Sequence, residues 1–151
     1  MTKSERLQPI VKVSASRERV AARKLAEAMR HHREVEERLK ELQRYRDEYE
    51  QMFQRDPHKG VGAEKLRDYR AFVAQLNKAI GYQQHKVNEA ASSCDEARGA
   101  WLATRTRCRA LDKVVDHHRR TERQDESRRE QRDTDEQARV ARDETAPNDG
   151  D

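Results

Sequence analysis

Apolar residues in the second half of the chain recur with a period of seven. One row holds Leu66, Val73, Ile80, Val87, Cys94, Trp101, Cys108 and Val115. A second row, three residues later, holds Tyr69, Leu76, Gln83, Ala90, Ala97, Thr104, Leu111 and His118. These rows fit the a and d positions of successive heptads, the pattern of a helix that pairs with another helix along a narrow line. A seven-residue period kept over this length also predicts a left-handed supercoil.

The first half carries a matching but weaker pattern. One row holds Leu25, His32, Leu39, Arg46 and Phe53, and the other holds Ala28, Val35, Leu42 and Tyr49. Arg46 interrupts its row, although its aliphatic stem can pack while the guanidinium group reaches water. We therefore predict two helices that share one seam, a name used below for the a and d residues of both helices.

A short connection separates the two halves. Residues 55–62 include Pro57, Gly60 and Gly62, which indicate a turn. Because a short turn makes consecutive helices antiparallel neighbours, we predict an all-α fold, a long two-helix antiparallel coiled-coil hairpin. Facing residue numbers then sum to about 118, which places Tyr49 near Tyr69.

The predicted organisation has three parts. Residues 1–8 form an N-terminal extension, and residues 9–118 form the hairpin, with helix 1 over about 9–54 and helix 2 over about 63–118. Helix 1 is expected to begin at Pro9, because proline suits the first turn of a helix. Residues 119–151 form a charged tail that has no partner in helix 1, so we expect it to pass from helical to disordered.

Composition limits the classes of protein that this chain can belong to. It is 41% charged and 33% hydrophobic, with a mean hydropathy of −1.33, which is too polar for a thick core. No apolar run reaches the roughly 18 residues of a membrane span, and no signal peptide is evident. We expect a cytoplasmic protein. The net charge of +4 comes from interleaved charges of both signs, so nucleic acid is not an expected partner and stays only a minor alternative.

The residues that carry chemistry are not arranged for catalysis. There is no phosphate loop and no nucleophile paired with a base, and a two-helix seam leaves no cavity for a small-molecule substrate. The six histidines are not expected to converge on a metal. Cys94 and Cys108 lie about 21 Å apart along one helix, too far for a disulfide. We predict a protein that is not an enzyme and needs no cofactor or metal.

Two candidate surfaces remain. Residues 1–33 hold nine Lys or Arg against three Glu, which favours an acidic partner, although a solvated helix face would explain the same charges. The candidate basic contacts are Arg17, Arg19, Arg23, Lys24, Arg105, Arg107 and Arg109. Near the turn, Phe72 sits at the edge of the seam, followed by Leu76, Ala79 and Gln83. This stripe is a candidate anchor for a partner, unless it merely widens the seam.

The whole pattern resembles the FliJ family of the bacterial flagellar type III export apparatus. The resemblance covers about residues 5–118 and includes the basic opening RLQPIVKVSASRERVAARKLAEA, the long first helix, the short turn and the second seam. It implies a cytoplasmic stalk in the pore of the hexameric export ATPase, peripherally associated with the export apparatus at the inner membrane. It also implies contact with the export gate protein FlhA and escort of export chaperones.

The resemblance assigns roles to both candidate surfaces. The basic residues would contact the ATPase ring. The gate contact of the family is similar to Phe-x3-Leu-x2-Ala-x3-His, which Phe72, Leu76 and Ala79 match, while Gln83 replaces the histidine. Two alternatives stay open: the equivalent stalk of a virulence-type III secretion system, and a generic homodimeric coiled-coil scaffold.

Overall fold

Two long helices make up almost all of the structure, a computed structural model that describes residues 1–55 and 62–147. Helix α1 spans Lys3–Gln54 and helix α2 spans Ala63–Thr145. They pack against each other as an antiparallel hairpin, and the described residues contain no strand, so the predicted all-α fold class is confirmed. The predicted turn at 55–62 lies outside the described residues except for Arg55 and Gly62.

Helix α1 begins at Lys3 rather than at Pro9, because a capping box stabilises an earlier first turn. The Thr2 hydroxyl accepts from the Glu5 amide at 3.3 Å, and the Thr2 amide donates to the Glu5 carboxylate at 3.1 Å. Each bond satisfies an amide that a helix start leaves without a partner. Pro9 therefore lies inside the helix, where its missing N–H removes one bond to the carbonyl of Glu5.

Tertiary contacts divide the chain into two units, one of Arg17–Thr104 and one of Met1–Ser16 with Arg105–Asp151. In the unit of residues 17–104, Val35 and Leu39 of α1 form a buried cluster with Val87 and Ala90 of α2. The Gln83 side-chain amide donates to the Val35 carbonyl at 2.9 Å. This bond joins residues whose numbers sum to 118, so the helices pair in the expected register.

The seam is thin in both units. Each predicted seam residue is buried or half-buried, and the set is Leu25, Val35, Leu39, Leu42, Tyr49, Phe53, Leu66, Tyr69, Val73, Ile80, Val87, Cys94, Trp101, Cys108, Leu111 and Val115. No described side chain is fully buried. Two helices can cover each other on one side only, so a chain this polar can still fold without a thick core.

In the unit of residues 1–16 and 105–151, Ser4 and Val115 are buried. Helix α2 continues to Thr145, so the tail that was predicted to pass from helical to disordered is helical over residues 119–145. Residues 123–147 are all exposed. Their sequence has no glycine or proline before Pro147, and its many oppositely charged neighbours three and four residues apart favour helix without tertiary packing.

Candidate protein-interaction surfaces

Five aromatic rings from both helices form a connected group in the unit of residues 17–104. Phe53 stacks on Tyr69 with ring centres 3.9 Å apart, and Tyr69 also stacks on Tyr49 at 5.6 Å. Phe72 lies 4.5 Å from Tyr49 and meets Tyr45 edge to face at 6.0 Å. We call this group the aromatic ladder. It fixes Phe72 against α1, because edge-to-face and offset contacts add to the energy of ring burial.

The four residues expected to contact the export gate differ in how much surface they present. Leu76 and Gln83 are each 8% exposed, because both occupy d positions that point at α1. The side-chain amide of Gln83 donates a hydrogen bond to the Val35 carbonyl. Phe72 and Ala79 are half-buried at the edge of the seam. Phe72 and Ala79 are therefore more accessible to a partner than Leu76 and Gln83, which pack against α1.

Three exposed apolar side chains in the unit of residues 17–104 were missed by the sequence analysis. Tyr45 is 52% exposed, Met52 is 68% exposed and Tyr82 is 74% exposed. Tyr45 and Met52 occupy the g position of the α1 heptads, as Phe72 does in α2. The g row of helix 1 would have identified Tyr45 and Met52, because it lies beside the g row of an antiparallel partner.

The basic residues expected to contact an ATPase ring lie in two units. Arg17, Arg19, Arg23 and Lys24 are exposed on α1 in the unit of residues 17–104. Between them, Glu18 is half-buried and its carboxylate accepts a 3.2 Å bond from the Trp101 indole nitrogen. Glu18 is thus turned towards the seam, and the outward charge of this segment is positive.

In the other unit, Arg107 and Arg109 are exposed and Arg105 is half-buried. They lie on α2 near Cys108 and Leu111, which are half-buried seam residues. Arg107 precedes Cys108 and Arg109 follows it, so their side chains extend from opposite sides of the seam-facing surface of α2. This part of α2 therefore presents positive charge around its outer surface.

The first turn of α1 is joined to α2 by a carboxylate. The Ser4 amide donates to Glu122 Oε1 at 3.0 Å, and the Ser4 hydroxyl donates to Glu122 Oε2 at 2.6 Å. The hydroxyl bond first, and the amide bond second, hold the pKa of Glu122 below its ordinary value of 4.5. A negative charge also suits the positive end of the helix dipole. We call this pair the Ser4–Glu122 clasp.

We expect the clasp to weaken in acid. A carboxyl whose pKa is lowered by folding stabilises the folded state above its unfolded pKa, and this stabilisation is lost as the pH falls through the folded value. The Ser4 amide resonance should therefore shift in NMR spectra as the pH falls below 4.5. Ser4→Ala removes the shorter bond and should move the pKa of Glu122 back towards 4.5.

Glu126→Gln provides the matched control for the clasp, because Glu126 is an exposed glutamate one turn further along α2. It should leave the Ser4 resonance and its titration unchanged. A Ser4 resonance with no dependence on Glu122 ionisation would mean that the two bonds do not form in solution.

Three further features concern metal ions, membranes and thiols. Across residues 1–55 and 62–147, no three His, Cys, Asp or Glu side chains are grouped to hold a metal ion. Neither described helix has a stretch apolar enough to cross a membrane. Cys94 is buried and Cys108 is half-buried, and both are free thiols.

The paired helices and their seam define a coiled-coil protein, and comparisons with known proteins identify its family. The family model described as Flagellar FliJ protein matches residues 2–143. The chain is 29% identical over 121 residues to the Flagellar FliJ protein of Escherichia coli (strain K12), covering 80% of this chain and 82% of that protein. The same values hold for the Flagellar FliJ protein of Salmonella typhi. No solved structure gives a significant match. The chain belongs to the flagellar FliJ protein family.

Proposed function

We propose that this chain is a non-enzymatic component of the bacterial flagellar type III protein export apparatus. It acts as a stalk in the export ATPase ring, contacts the export gate protein FlhA and escorts export chaperones. The observation that carries the proposal is the family match over residues 2–143, which extends along both paired helices. The protein works in the cytoplasm, peripherally associated with the apparatus at the inner membrane.

The stalk role is supported by the pairing of α1 with α2. Because both helices of the seam come from one chain, the paired helices form without a second copy, unlike those of a homodimeric scaffold. A pair of helices is a narrow element, since each helix with its side chains is about 10–12 Å across. Both relatives named above are flagellar proteins, which favours the flagellar over the virulence-type system.

The basic residues suit the ATPase contact. Arg17, Arg19, Arg23 and Lys24 place four positive charges within eight residues of one exposed helical segment. A field of one sign raises the rate of encounter with an acidic surface and makes that rate sensitive to salt. Arg105, Arg107 and Arg109 of the other unit add positive charge of their own to α2.

The stalk role can be tested by charge reversal. The variant Arg17→Glu/Arg19→Glu/Arg23→Glu should lose most of the stimulation that the wild-type protein gives to ATP hydrolysis by the cognate export ATPase. The measurement is the steady-state ATPase rate at increasing concentrations of the protein, with ring formation followed by electron microscopy. If the wild-type protein changes neither the ATPase rate nor ring formation, the proposed stalk role is wrong.

The control variant is Arg128→Glu/Arg129→Glu/Arg132→Glu. It changes the net charge by the same amount in a part of α2 where residues 123–147 are all exposed. It should keep the stimulation. Equal loss in both variants would mean that net charge, rather than the basic segment of α1, determines the effect.

A further inference from the structure

Three exposed aliphatic side chains in the unit of residues 1–16 and 105–151 have no part in the proposed function. Ile10 and Val13 of α1 are 54% and 51% exposed, and Val114 of α2 is 46% exposed. Ile10 and Val114 occupy g positions, and Val13 occupies a c position, which adjoins g on the outer surface of a helix. Because the g rows of an antiparallel pair border the same edge of the seam, all three lie on one side. We call this side the aliphatic flank.

Positive charges lie among these aliphatic side chains. Lys3 and Arg107 occupy g positions, Arg6 occupies a c position, and all three are exposed. On α1 the flank forms one row, at spacings of three and four residues, that runs through Lys3, Arg6, Ile10 and Val13. The flank therefore combines aliphatic surface with positive charge.

Negative charges in this part of the unit are confined to the opposite side. The acidic residues within 3–16 and 105–118 all occupy b or e positions, and they are Glu5, Asp112 and Asp116. The b positions also hold Lys12 and Arg109, so the opposite side carries charges of both signs. Single exposed aliphatic residues need no explanation. Aliphatic and cationic side chains that share one side without an acidic residue indicate a surface for an anionic and partly apolar partner.

We infer that the aliphatic flank binds the anionic headgroup surface of a phospholipid bilayer. The three aliphatic side chains enter the boundary between headgroups and acyl chains, and the three cations pair with lipid phosphates. The long stems of Lys3, Arg6 and Arg107 allow their charged ends to reach the phosphates while the stems cover apolar surface. The inference goes beyond the proposed function, in which the chain meets the inner membrane only through the export apparatus.

Charge and composition favour lipid over protein as the occupant of the flank. A two-fold dimer would bring the same flank of both copies together, so cations would face cations with no acidic residue between them, which is unfavourable. The cores of interfaces with other proteins are enriched in Tyr, Trp, Phe and Met, and the g and c positions of residues 3–16 and 105–118 hold none of these. An anionic bilayer needs no such residues and presents negative charge over its whole surface.

The test is cosedimentation of the full-length chain with vesicles of two compositions. One kind contains anionic phosphatidylglycerol mixed equally with phosphatidylcholine, and the other contains phosphatidylcholine alone with the same acyl chains. We expect binding to the anionic vesicles to be at least about tenfold tighter, and to weaken as the salt concentration rises from about 0.05 M to about 0.5 M. Because the vesicles contain no protein, the result does not depend on the proposed stalk or gate roles.

A double variant tests the aliphatic part of the flank. Ile10→Ala/Val13→Ala should weaken binding to the anionic vesicles at least about fivefold, because it removes the groups that enter the bilayer. The matched control is Leu102→Ala/Val140→Ala, which shortens side chains of the same size that are 50% and 51% exposed outside the flank. It should stay within about twofold.

A second double variant tests the cations. Lys3→Gln/Arg6→Gln should weaken binding about tenfold, because each cation near an anionic surface contributes separately. Its control, Lys12→Gln/Lys113→Gln, makes the same change in net charge at two exposed lysines outside the flank, and it should stay within about twofold. Arg107 is kept in every variant, because the proposed ATPase contact includes it.

Three results would overturn the inference, and each has a different meaning. If the wild-type chain does not bind anionic vesicles at the lower salt concentration, the flank has no lipid partner, and an effect of Lys3→Gln/Arg6→Gln on ATPase stimulation would indicate an acidic protein instead. If each variant and its control lose vesicle binding equally, net charge rather than the flank determines it. If Ile10→Ala/Val13→Ala abolishes a concentration-dependent dimer and leaves vesicle binding intact, a second copy occupies the flank. Circular dichroism of every variant checks that the helices are retained.

Discussion

Replacing Leu39 with alanine should lower the free energy of unfolding by about 2–4 kcal/mol. Leu39 is 8% exposed and belongs to the cluster that it forms with Val35, Val87 and Ala90. Truncation removes its buried methyl groups and leaves a cavity between two helices that touch along one line. The measurement is urea denaturation followed by tryptophan fluorescence, with the midpoint and slope fitted together.

Leu102→Ala is the matched control for this prediction. It makes the same chemical change at a leucine that is 50% exposed on α2, so we expect a loss below about 1 kcal/mol. Equal losses for the two variants would contradict the assignment of the core.

Replacing Tyr69 with alanine should lower the free energy of unfolding by about 2–3 kcal/mol. Tyr69 stacks on Phe53 at 3.9 Å and on Tyr49 at 5.6 Å, so its loss separates the last rungs of the aromatic ladder. Tyr69→Phe keeps the ring and should cost less than about 0.5 kcal/mol, because these contacts use the ring faces rather than the hydroxyl group. Thermal denaturation of both variants provides the comparison.

Tyr82→Ala serves as the control for Tyr69, since it removes the same side chain where the ring is 74% exposed. It should change the melting temperature by no more than a surface substitution does. If Tyr69→Ala and Tyr82→Ala melted at the same temperature as the wild type, the ring stacking would contribute nothing to the pairing of α1 with α2.

The heptad rows predicted the pairing of the helices because burial in a two-helix protein depends almost entirely on position within the repeat. Gln83 shows the strength of this dependence. It is polar, yet its d position buries it and turns its amide to the Val35 carbonyl. The partner contact that the resemblance implies for Gln83 stays a prediction.

The start of α1 was harder to predict, because two local signals compete there. Pro9 favours a helix start, whereas Thr2 and Glu5 form a capping box seven residues earlier. The clasp from Glu122 then adds two bonds to Ser4. This contact joins residues 118 positions apart, so it cannot be predicted from the local sequence. The tail was expected to pass from helical to disordered, and its interleaved charges did not indicate where the helix ends, which is Thr145 in the structure.

The position of Trp101 allows the seam to be followed separately from the rest of the helical structure. It is the single tryptophan of the chain, and its indole lies in the seam, bonded to Glu18. Its fluorescence therefore reports on the pairing of the helices around it, whereas circular dichroism also counts the exposed residues 123–145 of α2. Because that segment is exposed along its whole length, we expect part of the ellipticity to be lost at lower denaturant concentrations than the fluorescence changes, so the two curves do not describe one two-state transition.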